Sequence, residues 1–345
     1  MPPRARSSMD SPRRVLVIRL DRLGDVVLTT PVIQRLREAY PEAWLAMMVR
    51  PVCREVVDGN PLLNDVILYD KDGRHRGILG TVRFAWGLRR FRFDTAVVVH
   101  PTHRSHWIPW LAGIPVRIGY DRKSGWLLSR RVAHHKQDGE RHEAEYALEL
   151  LQVLGLSSPA SPAPFVPVRA EAQRAVEDVL RREGIEPSET LVAIHPSASC
   201  VSKRWMPQRF AEVADRLIDA QRLRIILIAG AEDAAHAQAV ERAMRHHPLN
   251  LAGKLSVGEL AGLLQRCRLL ISNDSGPVHI AAAVGTQVVT LFGRAQAGVN
   301  AARWRPLGPR HVVLDKSGPS RFTSIDELTV DEVYDAARAV LSRED

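Results

Sequence analysis

The chain has 345 residues, a length that accommodates two domains. Its hydrophobic content of 45% and charged content of 25% are those of a globular protein, and no apolar run approaches the ~20 residues of a membrane-spanning helix. The formal net charge is +9 and lies mostly in one half: residues 1–155 hold 25 Lys and Arg against 17 Asp and Glu, residues 156–345 hold 23 against 22. Such a first half suits an anionic partner: nucleic acid, a membrane surface or a phosphorylated substrate. No aromatic platform or nucleic-acid motif accompanies the charge, which argues against nucleic acid.

The elements follow in chain order. The opening M-P-P-R-A-R-S-S-M-D-S-P-R-R is basic but lacks an apolar core, so it reads as a frayed tail and the protein as cytoplasmic. V-L-V-I (15–18) is a strand, and P-V-I-Q-R-L-R-E-A-Y (31–40) has helical spacing. Between them lies R-L-D-R-L-G-D-V-V-L-T-T, a strand-to-helix turn with one glycine, Gly24, and a carboxylate, Asp25. A phosphate-binding loop would be richer in glycine and would not carry that charge. Strands are expected at 44–49, 65–69 and 95–100, with a helix over 78–90 before the last. Short apolar runs separated by helices predict a parallel sheet covered on both faces. The triplet Asp70-Lys71-Asp72 has a metal-binding form but sits in a charged loop, so it reads as surface.

A helix is expected over 141–156, followed by the proline-rich S-S-P-A-S-P-A-P-F-V-P, which breaks regular structure. This places domains at 1–157 and 169–323 around a linker at 158–168, with a closing helix in 324–345. The second half repeats the alternation, with strands at 191–196, 224–230, 250–253, 268–272 and 287–293. The closing helix has Thr329 as cap and Glu332 completing a capping box. Two such domains would leave a ligand cleft at the carboxyl ends of their strands. Cys53, Cys200 and Cys267 are scattered and lack C-x-x-C spacing, so reduced thiols are expected and no zinc site.

Three stretches carry chemistry. In I-S-N-D-S-G-P-V-H-I-A-A-A-V-G-T (271–286) a strand ends and Pro277 opens a small-residue helix. The N–H groups of Ser275 and Gly276, with the positive end of the helix dipole, favour a phosphate, and His279 can add a donor. The plain alternative is that Asp274 and Ser275 only cap the helix. In I-H-P-S-A-S-C-V-S-K-R-W-M-P (194–207) a serine-rich loop presents Lys203, suited to a diphosphate. In I-L-I-A-G-A-E-D (226–233) Glu232 could accept ribose hydroxyls, or merely complement a helix dipole.

The blocks R-L-D-R-L-G-D-V-V-L-T-T-P, I-H-P…S-K-R-W and N-D-S-G-P-V-H-I-A-A-A-V-G-T, in that order, resemble family 9 glycosyltransferases, the lipopolysaccharide heptosyltransferases. R-W-R-P-L-G (303–308) and the closing helix are similar too. The resemblance implies an α/β GT-B fold: two Rossmann-like, doubly wound parallel-sheet domains facing each other across a cleft, acceptor on the first and nucleotide sugar on the second. It implies that the closing helix packs back toward the N-terminal domain. It carries the catalytic base onto Asp25, the phosphate-binding lysine onto Lys203, the ribose-binding acid onto Glu232, the sugar-contacting aspartate onto Asp274, and the phosphate turn onto Ser275, Gly276 and His279. Gly24, Arg19 and Arg22 become acceptor-side candidates. Gly24 is expected to let the chain bend without crowding the acceptor.

The implied activity is inverting transfer of heptose from ADP-heptose to the anionic lipopolysaccharide inner core, with no metal or other cofactor required. The implied setting is the cytoplasm, which allows peripheral contact with the inner membrane. Two alternatives remain open from the residues: another nucleotide-sugar donor or cell-envelope acceptor, or a nucleotide-sugar-binding module without turnover.

Overall fold

The computed structural model describes residues 11–293, 298–316 and 324–343. The first ten residues, to which the frayed-tail expectation applies, lie outside the described residues, as do 317–323 at the expected end of the donor domain and 344–345 at the terminus.

The chain forms two compact units, Met1–His134 with Ala144–Pro162, and His135–Glu143 with Ala163–Asp345. The first contains strands β1 (Arg14–Ile18), β2 (Trp44–Val49), β3 (Asp65–Leu68), β4 (Thr95–Val98), β5 (Val116–Tyr120) and β6 (Arg130–Val132). Its helices are α1 (Leu23–Val27), α2 (Thr30–Ala39), α3 (Arg54–Val57), α4 (Gly77–Leu88), α5 (His103–Leu111) and α6 (Glu143–Glu149), which begins at the edge of the unit. The second contains β7 (Thr190–His195), β8 (Leu223–Leu227), β9 (Leu249–Asn250), β10 (Leu269–Asn273), β11 (Gln287–Phe292) and β12 (Val312–Asp315). Its helices are α7 (Ala170–Arg182), α8 (Pro207–Ala220), α9 (Ala234–Ala243), α10 (Val257–Arg266), α11 (Gly276–Ala283), α12 (Ala301–Trp304) and α13 (Val330–Leu341).

Both sheets are parallel throughout. Their orders are β3-β2-β1-β4-β5-β6 and β12-β11-β10-β7-β8-β9. Renumbered from its own first strand, the second order is the same as the first, the doubly wound order of a Rossmann-like sheet. The central strands are buried along their length, as strands covered by helices on both faces must be. In each sheet the order reverses between the first and fourth strands of the unit. Ile18 is registered with Val98 in one and His195 with Ser272 in the other. The strand ends that meet at these reversals are where α/β proteins bind ligands.

The division at Pro162 and Ala163 falls inside the proline-rich stretch, where 157–169 carry no helix or strand. One assignment differs from the sequence expectation. Residues 135–143 were expected in the first domain but belong to the second unit. The cause is Glu143, fully buried, whose carboxylate accepts from Lys136 Nζ at 2.8 Å and from Arg303 Nη2 at 2.7 Å. Arg303 also donates to the carbonyl of Lys136 at 2.9 Å, and His142 Nε2 lies 2.9 Å from the carbonyl of Arg305. Gly139, at φ 68°, approaches so closely that a Cβ there would lie 2.4 Å from the Gly298 nitrogen.

The closing helix is part of the second unit. Val333, Ala337 and Val340, one face at i, i+4 and i+7, enter the same core as Trp205, Val213 and Leu217. The Trp205 indole donates to the Leu328 carbonyl at 3.0 Å, and Arg216 pairs with Asp331 at 2.7 Å. The capping box is formed: Glu332 N donates to Thr329 Oγ1 at 3.2 Å and Thr329 N to Glu332 Oε2 at 2.9 Å.

All three cysteines are free thiols, and burial pushes Cys53 and Cys267 up to about 12. Asp70 accepts from the backbone of Gly73 and Arg74, and Asp72 pairs with Arg50 at 3.0 Å, so the D-x-D triplet shapes a loop. Among the described residues no helix is long and apolar enough to cross a membrane. Removing Glu143 would leave buried Lys136 and partly buried Arg303 without their shared carboxylate. Glu143→Ala is expected to lower unfolding free energy by about 3–5 kcal/mol, measured by urea denaturation.

Candidate active site

In the first unit, the chain leaves β1 at Ile18, turns through 19–22 and coils into α1. Asp25 is the third residue of that helix, where a negative charge complements the dipole. The N-cap is Arg22, which makes no side-chain cap bond, and the Asp25 carboxylate accepts from Arg19 Nη2. Arg19 also stands 3.5 Å from Asp21, and Asp21 is 3.4 Å from His100, which follows β4. The loops after β1 and β4 are thus joined at the point where the sheet order reverses. Thr29 Oγ1 donates to the Asp25 carbonyl at 2.8 Å and marks the break before α2.

Of the acceptor-side candidates, Arg19 is buried as a counter-ion of Asp25, whereas Arg22 is exposed. Gly24 lies inside α1 and is not among the glycines of positive φ, so its value is not a special bend.

In the second unit, three loops converge. Lys203, in a short turn after β7, donates to the Asp274 carboxylate, which follows β10. Asn273, fully buried, fixes that meeting. Its Oδ1 accepts from Trp205 N at 3.1 Å and its Nδ2 donates to the Pro196 carbonyl at 2.8 Å, so the loop carrying Lys203 is fastened at both ends. Arg204 reaches within 3.8 Å of Asp233, which ties the same loop to the turn bearing exposed Glu232. Ser275 is the N-cap of α11 but makes no side-chain cap bond. Its hydroxyl lies 3.0 Å from Ser272 Oγ and 3.1 Å from His195 Nδ1. The helix is therefore left with its N-terminal donors, those of Ser275 and Gly276 among them, to offer an anion.

Burial sets the two histidines. His195 is pushed down to about 4, and His279 to about 3 with His142 and Lys203 adding to the effect. Both are neutral at pH 7, so His279 can give a hydrogen bond but no charge. Its Nδ1 is buried and lacks a hydrogen-bond partner among the described residues.

A sequence profile of glycosyltransferase family 9 (heptosyltransferase) matches residues 81–321. The chain belongs to glycosyltransferase family 9. It is therefore a glycosyltransferase, and its two Rossmann-like sheets are those of the GT-B architecture. It is 25% identical over 288 residues to lipopolysaccharide heptosyltransferase 2 of Escherichia coli K12, covering 81% of this chain and 82% of that protein. The family 9 glycosyltransferase structure from Veillonella parvula aligns with a TM-score of 0.87 at 25% identity, covering 95% of this chain and 97% of the other. The structure of E. coli ADP-heptose LPS heptosyltransferase II aligns at 0.80 and 23% identity, covering 95% and 98%.

Within this family 9 member, Lys203 and Asp274 are in direct contact, and Ser275, Gly276 and His279 share one helix start. Glu232 is joined to them only through Arg204 and Asp233. Asp25 and its partners stand apart in the first unit and precede the matched residues 81–321. Sequence reasoning assigned no role to His195 and Asn273. Both lie at strand ends inside the quoted motifs, and that placement was the available signal.

The neutral histidines fix a pH dependence. Below the ordinary histidine value of 6.5 the unfolded chain takes up protons that His195 and His279 refuse until about 4 and 3. Stability should therefore fall as pH drops from 7 toward 4, each group contributing up to about 1.4 kcal/mol per pH unit. His279→Asn should flatten the slope of urea midpoint against pH.

Proposed function

We propose that this glycosyltransferase transfers heptose from ADP-heptose to a hydroxyl of the lipopolysaccharide core, inverting the anomeric centre. The observation that carries the reading is the contact of Lys203 with Asp274 at the mouth of α11, which gathers a cation, a carboxylate and helix-start donors in one place. The names of the relatives supply the donor and acceptor class.

In this reading the diphosphate of the donor lies against the α11 start. Lys203, the N–H groups of Ser275 and Gly276, and neutral His279 stabilise the charge that develops as the glycosidic bond breaks. Donor binding would draw Lys203 toward phosphate and free Asp274 to accept from sugar hydroxyls, so the ion pair holds both side chains in place beforehand. Glu232 accepts from the ribose. Asp25 removes the proton of the acceptor hydroxyl as that oxygen attacks the anomeric carbon from the face opposite the diphosphate. One carboxylate serves a single displacement. Arg19 supplies the counter-charge that makes a buried, ionised Asp25 tenable.

Asp25→Asn separates this reading from its competitors. Transfer from ADP-heptose to a core acceptor should fall by about 100-fold or more, while ADP binding by calorimetry stays within about twofold. Were Asp25 only the partner of buried Arg19 and a complement to the helix dipole, stability would fall by about 3–5 kcal/mol while turnover would persist in the folded protein. Loss of ADP binding would remove Asp25 from the base role, and turnover with a different nucleotide sugar alone would replace the donor.

A further inference from the structure

The first unit carries a surface to which the proposed reaction assigns no role. Helix α4 buries Thr81, Ala85 and Leu88, spaced i, i+4 and i+7, with Ala85 and Leu88 in the core of that unit. On the opposite side Leu79, Arg83, Trp86 and Arg90 recur at intervals of four, three and four, so they form one outward stripe continuing into the turn after the helix. Leu79 is 85% exposed, Trp86 61% and Ile78, at the helix start, 68%. Trp110 of α5, 49% exposed, adjoins the far end, where Arg89 donates to the Leu111 carbonyl at 3.0 Å. The Arg89 guanidinium also lies over the Trp86 ring, 5.2 Å from its centre.

The charge is as one-sided as the apolar exposure. Residues 73–93 contain six arginines and no Asp or Glu. A helix with this outward face is poorly suited to water alone, and an exposed apolar stripe set among cations is a contact surface. A second copy of this chain would bring arginines against arginines across a two-fold axis. A nucleic acid would neutralise the arginines but leave Ile78 and Leu79 uncovered. An anionic bilayer meets both demands: phosphate headgroups for the guanidinium groups, and the acyl boundary for leucine, isoleucine and the tryptophan rings.

We propose that the outward face of α4, with Trp110 beside it, docks this protein on an anionic lipid surface with the helix lying in the plane of the interface. No described helix spans a bilayer, so the contact is peripheral. The arginine excess of the first half is then concentrated where a membrane meets the protein.

The full chain is to be sedimented with phosphatidylcholine vesicles, with and without phosphatidylglycerol, at low and high salt. The wild type should partition onto the anionic vesicles only, and less at high salt. Arg83→Gln with Arg90→Gln should lower the partition coefficient about twentyfold, and Leu79→Ser with Trp86→Ser about tenfold. Both pairs should leave ADP binding unchanged, which reports an intact second unit, and circular dichroism and urea midpoint report the first. Absence of wild-type binding to anionic vesicles would overturn the proposal, as would equal binding by both folded variants. A concentration-dependent dimer abolished by Leu79→Ser with Trp86→Ser, without vesicle binding, would assign the face to self-association instead.

Discussion

Two parallel strands whose crossover helices depart to opposite faces of the sheet cannot cover the space beyond their carboxyl ends. That constraint acts twice in this chain, between β1 and β4 and between β7 and β10, because both sheets follow the same order. Every side chain with a chemical assignment lies in a loop leaving a sheet at its carboxyl edge or in the first turn of the helix that follows. Asp25 follows β1, and His100, which steadies its neighbour Asp21, follows β4. Lys203 follows β7, Glu232 follows β8, and Asp274 and Ser275 follow β10. The sheet decides where the chemistry can be; the loops decide what it is.

Buried charge is handled in one consistent way. Asp25 has Arg19, Asp274 has Lys203, and Glu143 has both Lys136 and Arg303. A carboxylate taken out of water needs such partners, and removal of one partner costs more than the pair contributes. The carboxylates of Asp25 and Asp274 are slightly open to solvent, whereas that of Glu143 is closed off and fastens the fold. The neutral histidines at the second site belong to the same economy of charge: burial keeps His195 and His279 uncharged, leaving Lys203 as the cation beside Asp274.

Much of this was legible in the sequence, for physical reasons that can be traced. The central strands are uninterrupted apolar runs such as V-L-V-I and L-V-A-I, and those are recognisable because both sheet faces are covered. Strands β5 and β6 were not recognised. V-R-I-G-Y and R-R-V carry arginines whose guanidinium groups find carbonyl partners or solvent, as Arg117 does with Leu127 at 2.7 Å, so their pattern is not apolar. Helix α5 was missed because His103, His106 and Pro109 interrupt any amphipathic stripe. At the site, the residue types of N-D-S-G-P and S-K-R-W suggested anion chemistry, but not that Asn273 would clip the lysine loop. The placement of 135–143 and of α13 depends on partners far away in sequence, Arg303 for one and Trp205 for the other. Local periodicity holds no record of those.

The excursion of 135–143 also bears on how the protein is made. Glu143 meets Arg303 across a sequence separation of 160 residues. On a ribosome adding about 5–20 residues per second, that carboxylate waits roughly 10–30 s for its cation. During that interval the sheet of the first unit can close around its own core, because all of its strands precede residue 135. The segment bearing Lys136 and Glu143, which interrupts the first unit in sequence, then waits until the second sheet arrives. Synthesis order thus leaves one piece of the second unit stranded among residues of the first until Arg303 emerges.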